Sequence, residues 1–330
     1  METYRTIKSL IVLVFLSSAA TAAIIDTVPV GNPGNIGELS GDRICGAVAY
    51  EYNVCKYEVT SAQYTEFLNA VAADDPYTLY NAQMVSHNEG CKIVRSGSSG
   101  SYSYSVAADQ ASRPVNFVSF WDACRFANWL HNGQPTGPEG AGTTETGAYT
   151  LDGYYGSDGR TIQRNAGCTW VVASEDEWYK AAYHKNDGAS GNYFTYPTGH
   201  DQGPSNVLVD PDPGNNANFL ILDPYVTYTL GPPYYRTEVG AFENSASPYG
   251  TFDQGGNVWE WMDTVMGDTA SRIIRGGSYT NPVGSMDAAG RYGQTPTSET
   301  SRFGFRVCLV PEPGGLLVLM LAGLSLIRRR

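Results

Sequence analysis

The sequence predicts a loop-rich α+β domain between two short terminal segments, and three observations predict it. Glycine (37) and proline (18) are frequent in a chain of 330 residues, so regular elements must be short. Three times a Ser or Thr is followed three residues later by an acid or amide and then by apolar residues at helical spacing, which marks helix starts. Between those helices stand brief alternating or β-branched runs beside glycines, the pattern of short strands. No repeat occurs at solenoid or propeller periods.

Arg5 and Lys8 precede an apolar run from Leu10 to Leu16, and small residues follow through Ala20, Thr21, Ala22 and Ala23. This order predicts a secretion signal over residues 1–23, with an apolar core too short to span a bilayer. Residues 24–40 are expected as a linker and 41–309 as one domain. Val48 to Val54 alternates like a half-buried strand. Thr60 with Gln63 opens a helix whose Tyr64, Phe67, Leu68 and Val71 share one face. Ser96 to Ser105 reads as a polar hairpin or loop. Ser119 with Asp122 opens a second helix carrying Ala123, Phe126, Ala127 and Leu130, with Gly133 as its stop. Ser174 with Glu177 opens a third, where Lys180, His184 and Lys185 lie toward the negative C-terminal end. Asp201 to Pro233 keeps no period, and Arg272–Arg275 and Phe303–Val307 are short strand candidates.

At the other end, Val310-Pro311-Glu312-Pro313 leads into the apolar stretch 314–327 and then Arg328, Arg329 and Arg330. As a helix those apolar residues rise about 21 Å, short of a hydrocarbon core of about 30 Å. Arginines after an apolar run stay cytoplasmic, which leaves the preceding domain outside. Residues 310–330 resemble the PEP-CTERM sorting signal. That resemblance implies processing by an exosortase-type membrane protease, transient membrane association through the tail, and a destination in the cell envelope or beyond it.

The formal net charge is −12. Five of the basic residues stand in the two ends, so the span between them is more acidic still. Such a surface disfavours nucleic acid, which needs Lys and Arg to neutralise phosphate, and it is compatible with calcium. Six cysteines, Cys45, Cys55, Cys91, Cys124, Cys168 and Cys308, fall in the exported part. An even count there suggests disulfides, with the connectivity open. None has CxxC or zinc spacing. His87, His131, His184 and His200 are scattered, and no hydrolase elbow, zincin pair or phosphate loop occurs.

Six short segments occur in a telling order: Lys56–Tyr64, Pro114–Ser119, Ala173–Trp178, Tyr249–Trp261, Arg275–Tyr279 and Gly304–Arg306. With Gly-Asn-Val-Trp-Glu-Trp and Arg-Gly-Gly-Ser-Tyr among them, residues 41–309 resemble the formylglycine-generating enzyme, or sulfatase-modifying factor, family. The resemblance implies an irregular α+β fold related to the C-type lectin fold. Enzymes of that family oxidise a sulfatase cysteine with oxygen, using two thiolates that hold copper(I), an ion suited to soft sulfur. The matching positions here are Asn281 and Met286, and no cysteine occurs from Arg275 to Val307. Copper is therefore not expected and no catalytic residue is assigned.

The resemblance further implies a disulfide between Cys124 and Cys308. It also implies a structural calcium held by Asp253 and Glu260 through side chains and by Gly256 and Val258 through carbonyls, since calcium takes six to eight oxygens. A second, weaker site would use Asn218 and Phe219, with no acid near Gly231 to Pro233 to complete it. The scaffold's cleft would be lined by Ser278, Tyr279, Asn281, Met286 and Arg291. The function expected is an exported, non-catalytic module of the envelope or polysaccharide matrix that binds an extracellular peptide or glycan. The alternative is a formylglycine-generating-type oxidoreductase acting on protein cysteine with displaced residues. Fold likeness does not choose between them, because function resides in the site.

Overall fold

Three helices form where the sequence caps them. In a computed structural model that describes residues 23–311 except residue 223, the backbone of Thr60, Ser119 and Ser174 is extended and each side chain accepts the N–H three residues on. Gln63, Asp122 and Glu177 reach back to the cap residue's own N–H. Each reciprocal pair satisfies two donors that a helix start leaves open. The expected secretion signal and the sorting segment beyond residue 311 lie outside the described residues, apart from Ala23 and the stretch 310–311.

In chain order the strands are β1 (Thr27–Val30), β2 (Glu38–Ser40), β3 (Arg43–Cys45), β4 (Tyr52–Cys55), β5 (Val94–Ser96), β6 (Ser103–Ser105), β7 (Trp170–Val172), β8 (Leu220–Ile221), β9 (Thr227–Tyr228), β10 (Trp259–Val265), β11 (Arg272–Arg275), β12 (Tyr292–Gln294), β13 (Phe303–Gly304) and β14 (Val307–Leu309). The helices are α1 (Ser61–Val71), α2 (Gln83–Ser86), α3 (Ala108–Ala111), α4 (Phe120–His131) and α5 (Glu175–Tyr183). One antiparallel sheet runs β1-β4-β14-β7. A second runs β12-β11-β10-β13, where β13 joins parallel to β10. Three hairpins, β2-β3, β5-β6 and β8-β9, stand apart from them.

Helix α4 stops as its sequence requires. Gly133 adopts φ 82°, and the N–H groups of Gly133 and Gln134 close onto the carbonyls of Leu130 and Trp129, so the terminal carbonyls are satisfied by a residue without a Cβ penalty. Its buried face meets α1. Phe126 lies 5.3 Å from Phe67 and 5.4 Å from Phe305 between ring centroids, both edge-on, and Phe67 lies 5.3 Å from Trp129. Edge-to-face pairs of this kind each add about 0.5–1.5 kcal/mol beyond the area they bury.

Three expectations are corrected. Residues 24–40 are not a linker: β1 pairs along its whole length with β4, and β2 pairs with β3. The strand expected over 48–54 begins only at Tyr52, because the Val48 N–H donates to the Asn35 side chain and the Val48 carbonyl accepts from Gly34. The single strand expected over 303–307 is two. Between them the Phe305 carbonyl accepts from Val59 and Arg306 turns into the interior.

Candidate functional site

The two segments that carry the family-like motifs are knotted together by their backbones. The Gly256 N–H donates to the Gly276 carbonyl at 2.8 Å, and the Tyr279 N–H donates to the Asn257 carbonyl at 3.0 Å. Gly256 has φ 82°, and a Cβ there would stand 2.0 Å from the Asn218 carbonyl oxygen, so no other residue fits. The polar side chains of these segments are spent inside the protein. Asn257 donates to Glu58 at 2.8 Å and accepts from Thr237 N–H and Asn218. Glu260 takes a forked pair from Arg306, at 2.6 and 2.7 Å, and the Trp178 indole N–H at 2.8 Å.

A second buried carboxylate organises the neighbouring segment. Glu175, the first residue of α5, receives Arg43, Arg275 and Arg291. Burial alone would raise its carboxyl, but Arg275 and Arg291 hold it below its ordinary value. Arg291 is thereby committed to Glu175 and Asp42, with a side chain only 5% exposed.

The other residues expected to line a cleft are mostly enclosed. Ser278 is buried and donates to Asn281 at 2.6 Å. Tyr279 is buried, and its hydroxyl donates to Glu89 at 2.7 Å. Met286 packs with Ala217 and Phe219, and its carbonyl accepts from Tyr183. Asn281 alone is partly open, with its carbonyl tied to the Leu220 N–H of β8.

The expected calcium ligands fit the ion in charge but not in donors. The buried Glu58 and Glu260 and the half-buried Asp253 sit around one guanidinium, Arg306. Burial, then Asp253 and Glu260, push the Glu58 carboxyl well above its ordinary range. Burial likewise pushes Asp253 up to about 6, against the Gly240 N–H that its Oδ2 accepts at 2.6 Å. Yet both Glu260 oxygens are already taken by Arg306 and Trp178. Gly256 and Val258 lie in the same turn, where the Val258 N–H donates to Glu58. In the weaker set, the Asn218 side-chain oxygen is buried without a partner, and Phe219 offers its carbonyl to Asn206 at 3.2 Å. Among the described residues no three His, Cys, Asp or Glu side chains are grouped to hold a metal ion.

The expected Cys124–Cys308 bridge is not formed, because all six cysteines are free and buried. Cys308 faces Val54 and Val171 across its two strand partners and feels Glu177, Arg164 and Cys55, whereas Cys124 feels Asp263 and Arg272. Burial pushes both thiols well above their ordinary range.

A model of the sulfatase-modifying factor enzyme 1-like domain matches residues 47–310. The chain belongs to this family. Among solved structures it is similar to CarF, with 23% identity and a TM-score of 0.56 over 87% of this chain and 99% of that one. It is also similar to variable protein 1 of Treponema denticola, with 18% identity and a TM-score of 0.51 over 89% of this chain and 98% of that one. At these identities the likeness shows the fold, and it bears out the loop-rich α+β class, consistent with a relation to C-type lectins.

On this sulfatase-modifying factor scaffold the structure adds a concave surface that the sequence did not announce. A cavity of about 390 Å³ is lined by Arg113, Leu208, Leu230, Tyr234 and Val239, with Glu238 beside them. Its size lies within the range of ligand pockets. The Arg113 guanidinium stands 4.1 Å from the Tyr234 ring centroid and 3.8 Å from Glu238. Near it in the chain, Leu222, Tyr225 and Val226 are 56%, 79% and 62% exposed, an unusual density of apolar side chains in water. These residues come from the stretch that carries no period, so only their apolar character was a signal. Chemically the surface offers apolar contact and one stacked guanidinium.

Proposed function

We propose that this chain is an exported, non-catalytic member of the sulfatase-modifying factor family, acting as a binding or structural module of the envelope or polysaccharide matrix. Its contact surface is the cavity at Tyr234 together with the exposed apolar residues of the β8–β9 region, suited to an extracellular peptide or glycan. One observation carries this reading: the positions that match the family's paired thiolates hold Asn281 and Met286. An amide and a thioether form neither a bis-thiolate copper site nor a mixed disulfide with substrate. The six thiols elsewhere are buried, and desolvation disfavours the thiolate that such chemistry requires.

Export rests on the two ends of the sequence, a secretion signal over 1–23 and a PEP-CTERM-like segment over 310–330 that an exosortase-type protease would process. Strand β14 ends at Leu309, and Pro311 is exposed at the domain's surface. A single preparation from the envelope of a producing cell tests both parts. Intact-mass measurement is expected to read a chain that begins near residue 23 and ends near residue 310. Incubated with copper, oxygen and a Cys-x-Pro-x-Arg peptide, that protein is expected to yield no aldehyde. Conversion of the peptide would overturn the non-catalytic reading, and a full-length mass would overturn the processing.

A further inference from the structure

The cavity at Tyr234 holds one charge that the protein leaves partly unused. Arg113 enters it just ahead of Pro114, with only 9% of its side chain exposed. Its Nε donates to the Asp109 carbonyl at 3.0 Å and its Nη1 to the Arg236 carbonyl. Nη2 has no acceptor within hydrogen-bond distance among the described residues. The carboxylate paired with it, Glu238, stands 3.8 Å away and is 58% exposed, too far for a hydrogen bond and screened by water. Burial lowers the guanidinium below its ordinary value, and Glu238 offsets that only in part.

The other side-chain donors of the wall are spent. The Tyr234 hydroxyl donates to Asp109 at 3.1 Å and the Thr237 hydroxyl to Asn257 at 3.4 Å. The N–H groups of Val239 and Ala241 close onto the carbonyls of Ser112 and Glu238, and that of Gly240 onto Asp253. Leu208, Leu230 and Val239 make the rest of the wall apolar. The cavity therefore calls for one anionic acceptor in apolar surroundings. A sugar would bring several hydroxyls and leave most of them unmatched, each at a cost. A mid-chain peptide segment would bury N–H and C=O groups in the same want. A chain end carries its carboxylate and an apolar side chain on one Cα, and so meets both demands. Val207 and Val209, 54% and 45% exposed on either side of Leu208, extend the apolar rim on which the preceding residues can lie.

We infer that this cavity takes the free C-terminus of a peptide that ends in an apolar residue, with the carboxylate on Arg113 and the last side chain against Leu208, Leu230 and Val239. The inference rests on the reading of this cavity as the contact surface and narrows its ligand to a peptide end. Glu238 is then a competitor that the incoming carboxylate displaces.

Titration calorimetry on the full chain tests it with four probes: N-acetyl-Ala-Ala-Leu as the free acid, the same tripeptide as its C-terminal amide, octanoate, and digalacturonate. The free acid is expected to bind saturably and the amide at least tenfold more weakly, the scale of one charge-assisted hydrogen bond. Arg113→Met is expected to lose the preference for the acid. Glu238→Gln is expected to tighten binding of the acid about two- to fivefold, the scale of a surface ion pair. Leu208→Asp is expected to weaken it at an unchanged melting temperature. Arg113→Met also removes two hydrogen bonds to backbone, so the two variants at exposed positions decide the matter where it unfolds. Octanoate binding as tightly as the tripeptide acid overturns the peptide source. Digalacturonate binding in place of the tripeptide overturns the inference and leaves the contact surface standing. The inference also fails if the acid does not bind, if the amide binds equally well, or if Glu238→Gln and Leu208→Asp both bind the acid like the wild type. Aldehyde formation from a cysteine peptide is a separate readout, which would overturn the non-catalytic reading without moving these affinities.

Discussion

Replacing Arg306 by Met removes the counter-charge of a fully enclosed ion pair. Arg306 is fully buried and donates to both oxygens of Glu260, to the Cys55 carbonyl at 3.0 Å and to the Phe252 carbonyl at 2.9 Å. In Arg306→Met the Glu260 carboxylate keeps only the Trp178 indole, with the acids Glu58 and Asp253 nearby. Breaking a buried pair from one side costs about 3–5 kcal/mol, because the remaining charge is stranded in a low dielectric. At a urea dependence of about 3 kcal/mol per molar for a domain of this size, the unfolding midpoint should fall by about 1–1.7 M. The double variant Glu260→Leu/Arg306→Met should regain part of that loss, since Glu260 is no longer stranded while Glu58 and Asp253 still lose the guanidinium. Urea unfolding followed by tryptophan fluorescence reads both. A single variant within about 1 kcal/mol of the wild type, or a double variant no better than the single, would refute this account of the cluster.

Two further outcomes follow from buried acids. Burial, then the neighbouring Asp75, push the Glu139 carboxyl up to about 8. A carboxyl raised on folding contributes stability that is fully present below its unfolded pKa of about 4.3 and lost as pH rises through the folded value. The unfolding free energy should therefore carry a falling component between about pH 4 and about pH 8, and Glu139→Gln should flatten it; an unchanged slope in that variant would remove Glu139 as its source. Because Arg306 and Trp178 occupy both Glu260 oxygens, added calcium should leave the melting temperature of the wild type unchanged, and a rise that Asp253→Asn abolishes would overturn that reading of the cluster. Equal shifts in both proteins would place calcium elsewhere.

How far the sequence reaches depends on the range of the interaction. The three cap pairs span three residues each, so their chemistry is complete within one window, and all three form. The Ser96–Ser105 hairpin and the Gly133 stop are local in the same sense. The buried polar frame is not local. Asn257 and Glu58 are 199 residues apart, and Arg275 and Glu175 are 100 apart, so nothing in either segment announces its partner. For the same reason β1 escaped notice: its register comes from β4, which lies across the intervening hairpin. The candidate site was legible as a motif and not as geometry. Ser278 and Tyr279 belong to a recognisable segment, but only the backbone ties of Gly256 and Tyr279 reveal that the segment is folded inward. The cavity at Tyr234 assembles from several separate stretches and leaves no linear trace.

The place of β14 bears on when this protein can exist as a folded object. Residues 307–309 enter the first sheet between β4 and β7, so the sheet is finished from its middle by almost the last part of the domain to be made. A chain still emerging from the ribosome or from a translocation pore lacks that strand, and β4 and β7 have no common neighbour until it arrives. Contacts of such sequence separation are slow to form. The order of synthesis therefore leaves the first sheet incomplete until nearly the whole domain has been made.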